Sequence, residues 1–476
     1  MQRLAPPPPS RMAAATSRVV VAWALVLAYG CSPSAPSPAA KSDLRGAAGG
    51  WNVLLLSIDT LRGDRLGAFG YTERPNTPNL DQEVVQGVRF RAAMAQRAAT
   101  WPSLASVLSG LYPSSHGVLG NGYAFPADVM TLPKVLQQSG YQTGAFLSNM
   151  CSAGHTGWES FKCTSSNDSR ANRAALEWAA QLQPAHPFFL WVHYFGPHPP
   201  YYNGGERAKT ELDPDYAGRL VPRKAALDEI MLARQPLTVG DVHHLNALYD
   251  AAVMGTDSRA GELLTALRSA GRLDHTIVVV LADHGEELYE HNRYFYHSCS
   301  VYQSTLHVPL AVIAPGLLAP GGEVRQPVEL IDVMPTVLEL LGVPLPTGGQ
   351  GTSLVPYLSR PDGGGGGKPA YSEYDTSQIR TVLADGWKLV DNPENLAPDC
   401  VPGAAPGFYP IGRTELYDLA KDPGELHNLA AEQPGKVAQL RALLAKRFGS
   451  LARRRGKQRI PQGLSEELKS LGYVAN

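Results

Sequence analysis

The chain of 476 residues carries 42 lysine and arginine residues against 43 aspartate and glutamate residues, for a net charge of −1, and 44% of its residues are hydrophobic. This balanced charge argues against an electrostatic partnership, so we expect no nucleic-acid partner. The apolar fraction is ample for a large core. The length suits two to three domains, or one large α/β domain with a smaller one.

The amino terminus has the pattern of an export signal. Basic residues come first, followed by the 12-residue apolar run Val19–Gly30, which is too short to span a bilayer, and then by Cys31. This pattern is typical of a bacterial lipoprotein signal that is cleaved before a lipid-bearing cysteine. An ordinary cleaved signal and an uncleaved anchor are the alternatives. We predict a signal over residues 1–31 and a linker over 32–50. The protein would then be anchored through Cys31 in the cell envelope, on the periplasmic or outer face of a bacterial membrane, or be secreted.

Four cysteines remain, and an exported chain can join them in disulfides. Cys151 and Cys163 flank a short polar loop and are the preferred pair. Cys299 and Cys400 would form the second pair. Buried free thiols are the alternative.

Three apolar runs of strand length follow in chain order, and each gives way to a segment that contains Asp or His. Near-continuous apolar strands are buried on both faces, which predicts a mostly parallel sheet. Segments with apolar residues three and four apart lie between them and predict helices. This alternation predicts a doubly wound α/β domain over residues 51–360, with ligands at the carboxyl ends of the strands. The three runs are Trp51–Asp59, Pro187–Gly196 and His275–Glu287.

A glycine-rich break, Arg360–Tyr371, separates this region from the end of the chain. Short strand-like pieces and a helix rich in lysine and arginine come after it. We predict a smaller α+β subdomain over residues 369–476, with the basic helix exposed to solvent.

Asp59, Asp283 and His284 are the strongest candidates for chemistry. Each ends a buried strand, where an unpaired charge would be costly. A divalent cation is the simplest partner, and carboxylate with imidazole suits zinc or manganese, with calcium less well matched.

With its flanking segments, this group resembles the sulfatase-like family of the alkaline phosphatase superfamily. The resemblance runs in order over residues 51–476. It implies an alkaline phosphatase-like α/β sandwich with a small carboxyl-terminal sheet. The motifs that carry it are "NVLLLSIDTLRGDRLGAFGY", "TWPSLASVLSGLYPSSHGV", "HYFGPHPPYY", "LADHGEELYEH" and "ELYDLAKDPGELHNLA".

The chain departs from the best-known sulfatases at the nucleophile turn. Those enzymes carry Cys-x-Pro-x-Arg and oxidise the cysteine to formylglycine, whereas this chain has Thr100 and, in place of the arginine, Leu104. Thr60 replaces the second aspartate of the usual pair, and Ser148 and Met150 stand where the resemblance leads us to expect lysine and histidine. The formylglycine mechanism is therefore not expected here.

Phosphodiesterase-like and phosphoethanolamine-transferase-like members of the superfamily use a metal-bound threonine as the nucleophile. By this resemblance Thr100 would be both the nucleophile and a metal ligand, because a bound cation lowers the pKa of a hydroxyl. Its place before a helix would also let backbone N–H groups hold an anionic ester. The alternative is that Thr100 is only an N-cap.

The resemblance also implies roles for two histidines. His198 and His297 would contact the ester oxygens or protonate the leaving group. Members with two metals need one aspartate and two histidines more; Gly196 stands where that aspartate often lies, and His193 is the residue that would substitute. One or two divalent ions (zinc, manganese or calcium) are thus expected. Two further histidines are predicted to be structural, namely His116 and His291.

The sequence leaves three functions open. The first is an exported, metal-dependent hydrolase of sulfate or phosphate esters, with an anionic ester of a glycan or lipid as substrate. The second is a phosphodiesterase or transferase that passes a phospho-substituent to an envelope glycan or lipid. The third is an inactive protein that binds an anionic glycan, since several charged family positions are replaced.

Overall fold

The apolar runs of the sequence form the middle of an eight-stranded sheet. The computed structural model of the chain describes residues 43–151, 156–202, 205–361, 367–374, 379–396, 404 and 407–449. The strands are ordered β4-β3-β5-β1-β6-β7-β2-β8, and among these described strands only β7 runs antiparallel to its neighbours. The prediction of a mostly parallel sheet in an α/β fold is confirmed. The strands are β1 (Asn52–Ile58), β2 (Val88–Met94), β3 (Gln142–Leu147), β4 (Ser160–Cys163), β5 (Phe188–Tyr194), β6 (Thr276–Ala282), β7 (His307–Ile313) and β8 (Gly322–Glu329).

Helices connect most of the strands, as the spacing of apolar residues predicts. The longest, α8, begins after Thr238, whose hydroxyl accepts a hydrogen bond from the Asp241 N–H while the Asp241 carboxylate accepts one from the Thr238 N–H. This capping box stabilises the first turn. The described helices are α1 (Pro78–Val84), α2 (Thr100–Ser109), α3 (Pro113–His116), α4 (Leu132–Gln138), α5 (Asp168–Ala179), α6 (Gly205–Arg207), α7 (Lys224–Leu232), α8 (Val239–Ser269), α9 (Gln303–Leu306), α10 (Val333–Leu341), α11 (Val355–Ser359) and α12 (Pro434–Phe448).

The centre of the large sheet is buried and mostly apolar. Every residue of β5 and β6 is buried, and β1 is buried beyond its first residue. Because β1 lies between β5 and β6 and is parallel to both, the three strands end at the same edge of the sheet. The residues that follow these strands are therefore brought together.

A second, four-stranded antiparallel sheet forms the small carboxyl-terminal part, in the order β12-β11-β10-β9. Helix α12 packs on it through apolar side chains that include Leu440 and Phe448. The small sheet matches the predicted α+β character of this region. The domain boundary near residue 360 stays a prediction. The strands are β9 (Ala370–Tyr374), β10 (Ile379–Ala384), β11 (Trp387–Asp391) and β12 (Thr414–Asp418).

The start of the described chain packs onto the large sheet's domain. Leu44 is buried, and the N–H of Gly46 donates to the carbonyl of Glu339, so residues 43–50 are part of the packed structure although the sequence places them in a linker. The predicted signal over residues 1–31 lies outside the described residues. None of the helices in the described part of the chain is long and apolar enough to cross a membrane.

One predicted disulfide is present. Cys151 and Cys163 are joined by a disulfide, with their Cα atoms 5.3 Å apart. Cys299 also takes part in a disulfide. Its predicted partner, Cys400, lies outside the described residues.

Candidate active site

Polar side chains at the carboxyl ends of four neighbouring parallel strands lie close together at one edge of the sheet. Asn149 follows β3, His193 lies near the end of β5, Asp59 follows β1, and Asp283 and His284 follow β6. All five side chains are buried. The sequence points to Asp59, Asp283 and His284 as a group, and the structure brings them together.

The two carboxylates are only partly satisfied by hydrogen bonds. Asp59 Oδ2 accepts one from Asn149 Nδ2 at 2.7 Å. Asp283 Oδ1 accepts from the backbone N–H groups of Thr60 at 3.2 Å and of His284 at 2.9 Å. The other oxygens, Asp59 Oδ1 and Asp283 Oδ2, have no hydrogen-bond donor among the described residues.

The electrostatics of this pair are unfavourable without a cation. Burial, and then the charge of Asp283, raise the pKa of Asp59 well above its ordinary value. Burial raises the pKa of Asp283 to about 7. Two buried carboxylates that face one another are costly unless a positive charge compensates them.

Two imidazoles turn a ring nitrogen toward these carboxylates. His284 Nε2 lies 3.6 Å from Asp59 Oδ1 and 3.4 Å from Asp283 Oδ2, and its Nδ1 lies 2.9 Å from the carbonyl oxygen of Gly285. A carbonyl can only accept, so Nδ1 carries the hydrogen, which leaves a lone pair on Nε2 in the neutral ring. His193 Nε2 lies 3.9 Å from Asp59 Oδ2. Burial lowers the pKa of both rings, that of His193 to about 3, which favours the neutral form that binds metals.

This donor set fits a divalent cation. Asp59, His193 and Asp283 each offer one ligand atom, and these atoms lie within 4.8 Å of one another. Carboxylate oxygen and neutral imidazole nitrogen are the groups that such ions bind. From the sequence, His193 is predicted only as a substitute ligand at a second metal site. In the structure it lies beside Asp59 and Asp283, at the first site. Asn149 was not singled out, although its position after β3 follows the same strand-end rule.

Thr100 is the first residue of α2, and its hydroxyl does not cap the helix. The N-cap of the helix is Ala99, which makes no side-chain cap hydrogen bond. Thr100 Oγ1 is buried and lies 3.3 Å from His284 Nε2. The interpretation of Thr100 as an N-cap is therefore wrong by one residue.

The helix N-terminus offers less to an anion than the sequence predicts. The N–H of Trp101 donates to Asn121 Oδ1 at 2.8 Å, Pro102 has no N–H, and the N–H of Ser103 donates to the carbonyl of Ala99 at 3.1 Å. The N–H groups of the first turn are thus largely used inside the protein, so most of the charge compensation must come from elsewhere.

The two other predicted histidines extend the site. The ring of His297 lies 4.1 Å from that of His284 and 5.3 Å from that of His198, measured between centroids. His198 Nδ1 is 2.6 Å from the carbonyl oxygen of Pro199, and His297 Nδ1 is 3.3 Å from Glu286 Oε2. Burial lowers the pKa of His198 to about 3 and that of His297 well below its ordinary value. No sequence signal points to Glu286, because the chain must fold back for it to meet His297.

The two histidines predicted to be structural make hydrogen bonds away from the carboxylates. His116 Nε2 lies 3.1 Å from Ser106 Oγ, and its Nδ1 accepts from the N–H of Val118 at 3.0 Å. His291 Nε2 donates to the carbonyl of Glu425 at 3.0 Å. These contacts agree with a structural role.

Buried carboxylates and imidazoles thus lie around a hydroxyl at the carboxyl edge of a mostly parallel sheet. The family model described as Sulfatase matches residues 51–343, and the chain therefore belongs to the sulfatase family. As a member, it is an ester hydrolase of the sulfuric or phosphoric ester class.

Several known proteins are similar to this chain. Arylsulfatase K of Bos taurus is 26% identical over 488 residues, which cover 89% of this chain and 86% of the relative. A structure solved with its substrate D-glucosamine-2-N,6-O-disulfate has a TM-score of 0.68 at 22% identity, covering 84% of this chain and 98% of the other. A phosphonate monoester hydrolase of Agrobacterium radiobacter has a TM-score of 0.65 at 22% identity, covering 86% and 100%. The structural similarities show the shared fold.

Proposed function

We propose that the chain hydrolyses sulfate or phosphate monoesters or diesters, with Thr100 as the nucleophile and with a divalent cation held by Asp59, Asp283 and His284. One observation carries the proposal. The Thr100 hydroxyl, which does not cap its helix, lies 3.3 Å from the imidazole nitrogen that faces both carboxylates. This distance supports Thr100 as a further ligand of the same cation.

The cation, when bound, would lower the pKa of the alcohol that contacts it and neutralise charge on the ester oxygens. The protein residues supply the rest. Asn149 fixes the orientation of the Asp59 carboxylate, and Gly285 fixes that of the His284 ring. These contacts preorganise the donor atoms before substrate arrives.

The proposed reaction has two steps. In the first, Thr100 Oγ1 bonds to the sulfur or phosphorus atom, the bond from that atom to the leaving oxygen breaks, and the hydroxyl proton passes through an imidazole to the leaving oxygen. In the second, water attacks the threonine ester, the bond to Oγ1 breaks, and one proton of the water restores the Thr100 hydroxyl. His198 and His297 are the imidazoles available for proton transfer, since His297 lies beside His284 and His198 lies beside His297.

The test compares variants of one helix. The full chain, purified in detergent and supplied with zinc, manganese or calcium, would be assayed with an aryl sulfate, an aryl phosphodiester and an aryl phosphonate. Thr100→Ala should lower turnover by roughly 10⁴-fold or more, as expected for loss of a nucleophile. Ser109→Ala is the matched control, because it removes a buried hydroxyl of α2 that donates to the carbonyl of Ala105.

The outcome of this assay distinguishes the hydrolase from the transferase and from the inactive binding protein. Equal rates in wild type and Thr100→Ala would overturn the threonine mechanism. Transfer of the group to an added alcohol, in preference to water, would favour the transferase. Absence of turnover with every ester and metal, together with retained binding of an anionic glycan, would favour the inactive binding protein.

We also propose that the chain is an exported lipoprotein. The export pattern that ends at Cys31 supports this, as does the disulfide between Cys151 and Cys163, because disulfides persist in oxidising compartments. Cells fed a labelled fatty acid should label the wild type but not Cys31→Ser, and the variant should leave the membrane fraction. A labelled Cys31→Ser protein would contradict the proposal.

A further inference from the structure

His193 has an unused nitrogen at the carboxylate pair. It lies near the end of β5, opposite Ser57 in the neighbouring strand β1, and its side chain is fully buried. Its Nε2 has no hydrogen-bond partner among the described residues, and it lies 3.9 Å from Asp59 Oδ2. His116, by contrast, satisfies both ring nitrogens, with Ser106 and Val118.

The other nitrogen of His193 is held by a chain of hydrogen bonds. His193 Nδ1 lies 2.8 Å from Ser57 Oγ, which accepts a hydrogen bond from Trp191 Nε1, also at 2.8 Å. Ser57 Oγ can accept the Nδ1 hydrogen, which leaves the lone pair on Nε2 facing the carboxylates. Outer-shell contacts of this kind fix the tautomer and orientation of metal-binding imidazoles.

We infer that His193 is a direct ligand of the cation, and that the set formed by Asp59, Asp283, His193 and His284 selects zinc over calcium. The inference rests on the cation of the proposed function, but it names a ligand and a metal that the proposed function leaves open. Two carboxylates balance the charge of a divalent ion, and the two neutral imidazoles add no charge. Calcium prefers six to eight oxygen ligands, whereas imidazole nitrogen suits zinc.

The test counts imidazoles and measures affinity without using turnover. Pulsed electron paramagnetic resonance of the full-length protein loaded with one equivalent of Cu²⁺ reports how many imidazoles bind the ion. Displacement by zinc shows that the copper occupies the zinc site. Two imidazoles are expected in the wild type and in His116→Gln, the buried-histidine control, and one in His193→Gln.

Zinc and calcium affinities provide the second measurement, by competition with chromophoric chelators. His193→Gln should lower zinc affinity by more than about 100-fold, beyond the cost of losing an outer-shell partner, and Ser57→Ala by about 10- to 100-fold. Calcium affinity should fall less, so the preference for zinc should shrink.

A wild-type protein with a single copper-bound imidazole would overturn the inference, even if His193→Gln does not fold. Unchanged zinc affinity in a folded His193→Gln would also overturn it. The proposed function fails separately, because two bound imidazoles together with full ester turnover in Thr100→Ala would contradict the nucleophile and leave His193 as a ligand.

Discussion

Asp250 and Asp59 are both fully buried aspartates, but their surroundings differ. Asp250, in α8, is surrounded by donors. Asp59 shares its site with a second buried carboxylate, Asp283, and each of the two keeps an oxygen without a donor among the described residues. The donors around Asp250 are Tyr71 Oη at 2.6 Å, Arg74 Nη1 at 2.6 Å, Asn76 Nδ2 at 2.8 Å and Arg65 Nη1 at 3.3 Å.

This difference in hydrogen-bond donors is what we expect between an aspartate with a structural role, Asp250, and one proposed to bind a cation, Asp59. The protein compensates Asp250 with its own cations, which ties α8 to the segment after β1. At Asp59 and Asp283 the described residues offer neutral imidazoles and an amide instead. A buried charge needs a partner, and the proposed cation would supply the charge that is missing at this pair.

Loss of the Asp59 carboxylate should have the largest effect. Asp59→Asn removes a ligand but keeps the shape of the side chain, and turnover should fall by at least about 10³-fold, the upper range for one preorganised group. Asp250→Asn, assayed at a temperature where it is folded, should retain most of the activity. Similar losses in the two variants would remove the distinction between the two aspartates.

Asp250 should instead control stability. Asp250→Ala leaves Arg65 and Arg74 without their buried acceptor, and breaking such a pair costs about 3–5 kcal/mol. Urea unfolding should show this loss equally in metal-free and zinc-loaded protein. A change no larger than that of an exposed ion pair, about 1 kcal/mol or less, would contradict the assignment.

In the metal-free protein, Asp283→Asn should raise the free energy of unfolding, whereas Asp250→Ala should lower it. The variant removes one of two facing carboxylates, and its amide oxygen can still accept from the N–H groups of Thr60 and His284. We expect a gain of about 1 kcal/mol or more, since one unit of pKa corresponds to about 1.4 kcal/mol. Zinc should stabilise the wild type in urea but not this variant. A destabilised metal-free variant would argue against carboxylate repulsion.

The last expected effect is a pH dependence of the stability of the metal-free protein. The pKa of Asp283 rises from 3.8 to about 7 on folding, so the folded protein binds more protons between these values. Stability of the metal-free protein should therefore fall as the pH rises from about 4 to about 7. The advantage of Asp283→Asn over the wild type in urea should grow over the same range. A constant difference between the two proteins would contradict the shift.

Strand-end reasoning found Asp59, Asp283 and His284 from sequence because neighbouring parallel strands end at one edge. The sequence alone could not show that Asp250 is compensated, since its partners come from a segment that is distant in the chain. The position of His193 beside Asp59 could not be predicted in this way, because it depends on which strand lies beside β1. The pairing of β5 with β1 is set by tertiary packing.

The exact start of α2 and the contacts within the loop after β6 could not be predicted from the sequence either. Whether Thr100 caps α2 or begins it depends on a shift of one residue, and helix ends are uncertain at that level. The contact between Glu286 and His297 requires the fold of the loop after β6. The three central strands and the longest helices, by contrast, follow directly from long apolar patterns.

A crystal grown with zinc, with diffraction measured on both sides of the zinc absorption edge, tests the site most directly. The difference should show a single strong peak between Asp59 and Asp283, in contact with His284, and none near Asp250. A zinc peak elsewhere, with the two carboxylates still facing each other without an ion, would contradict the assignment of this pair as the metal centre.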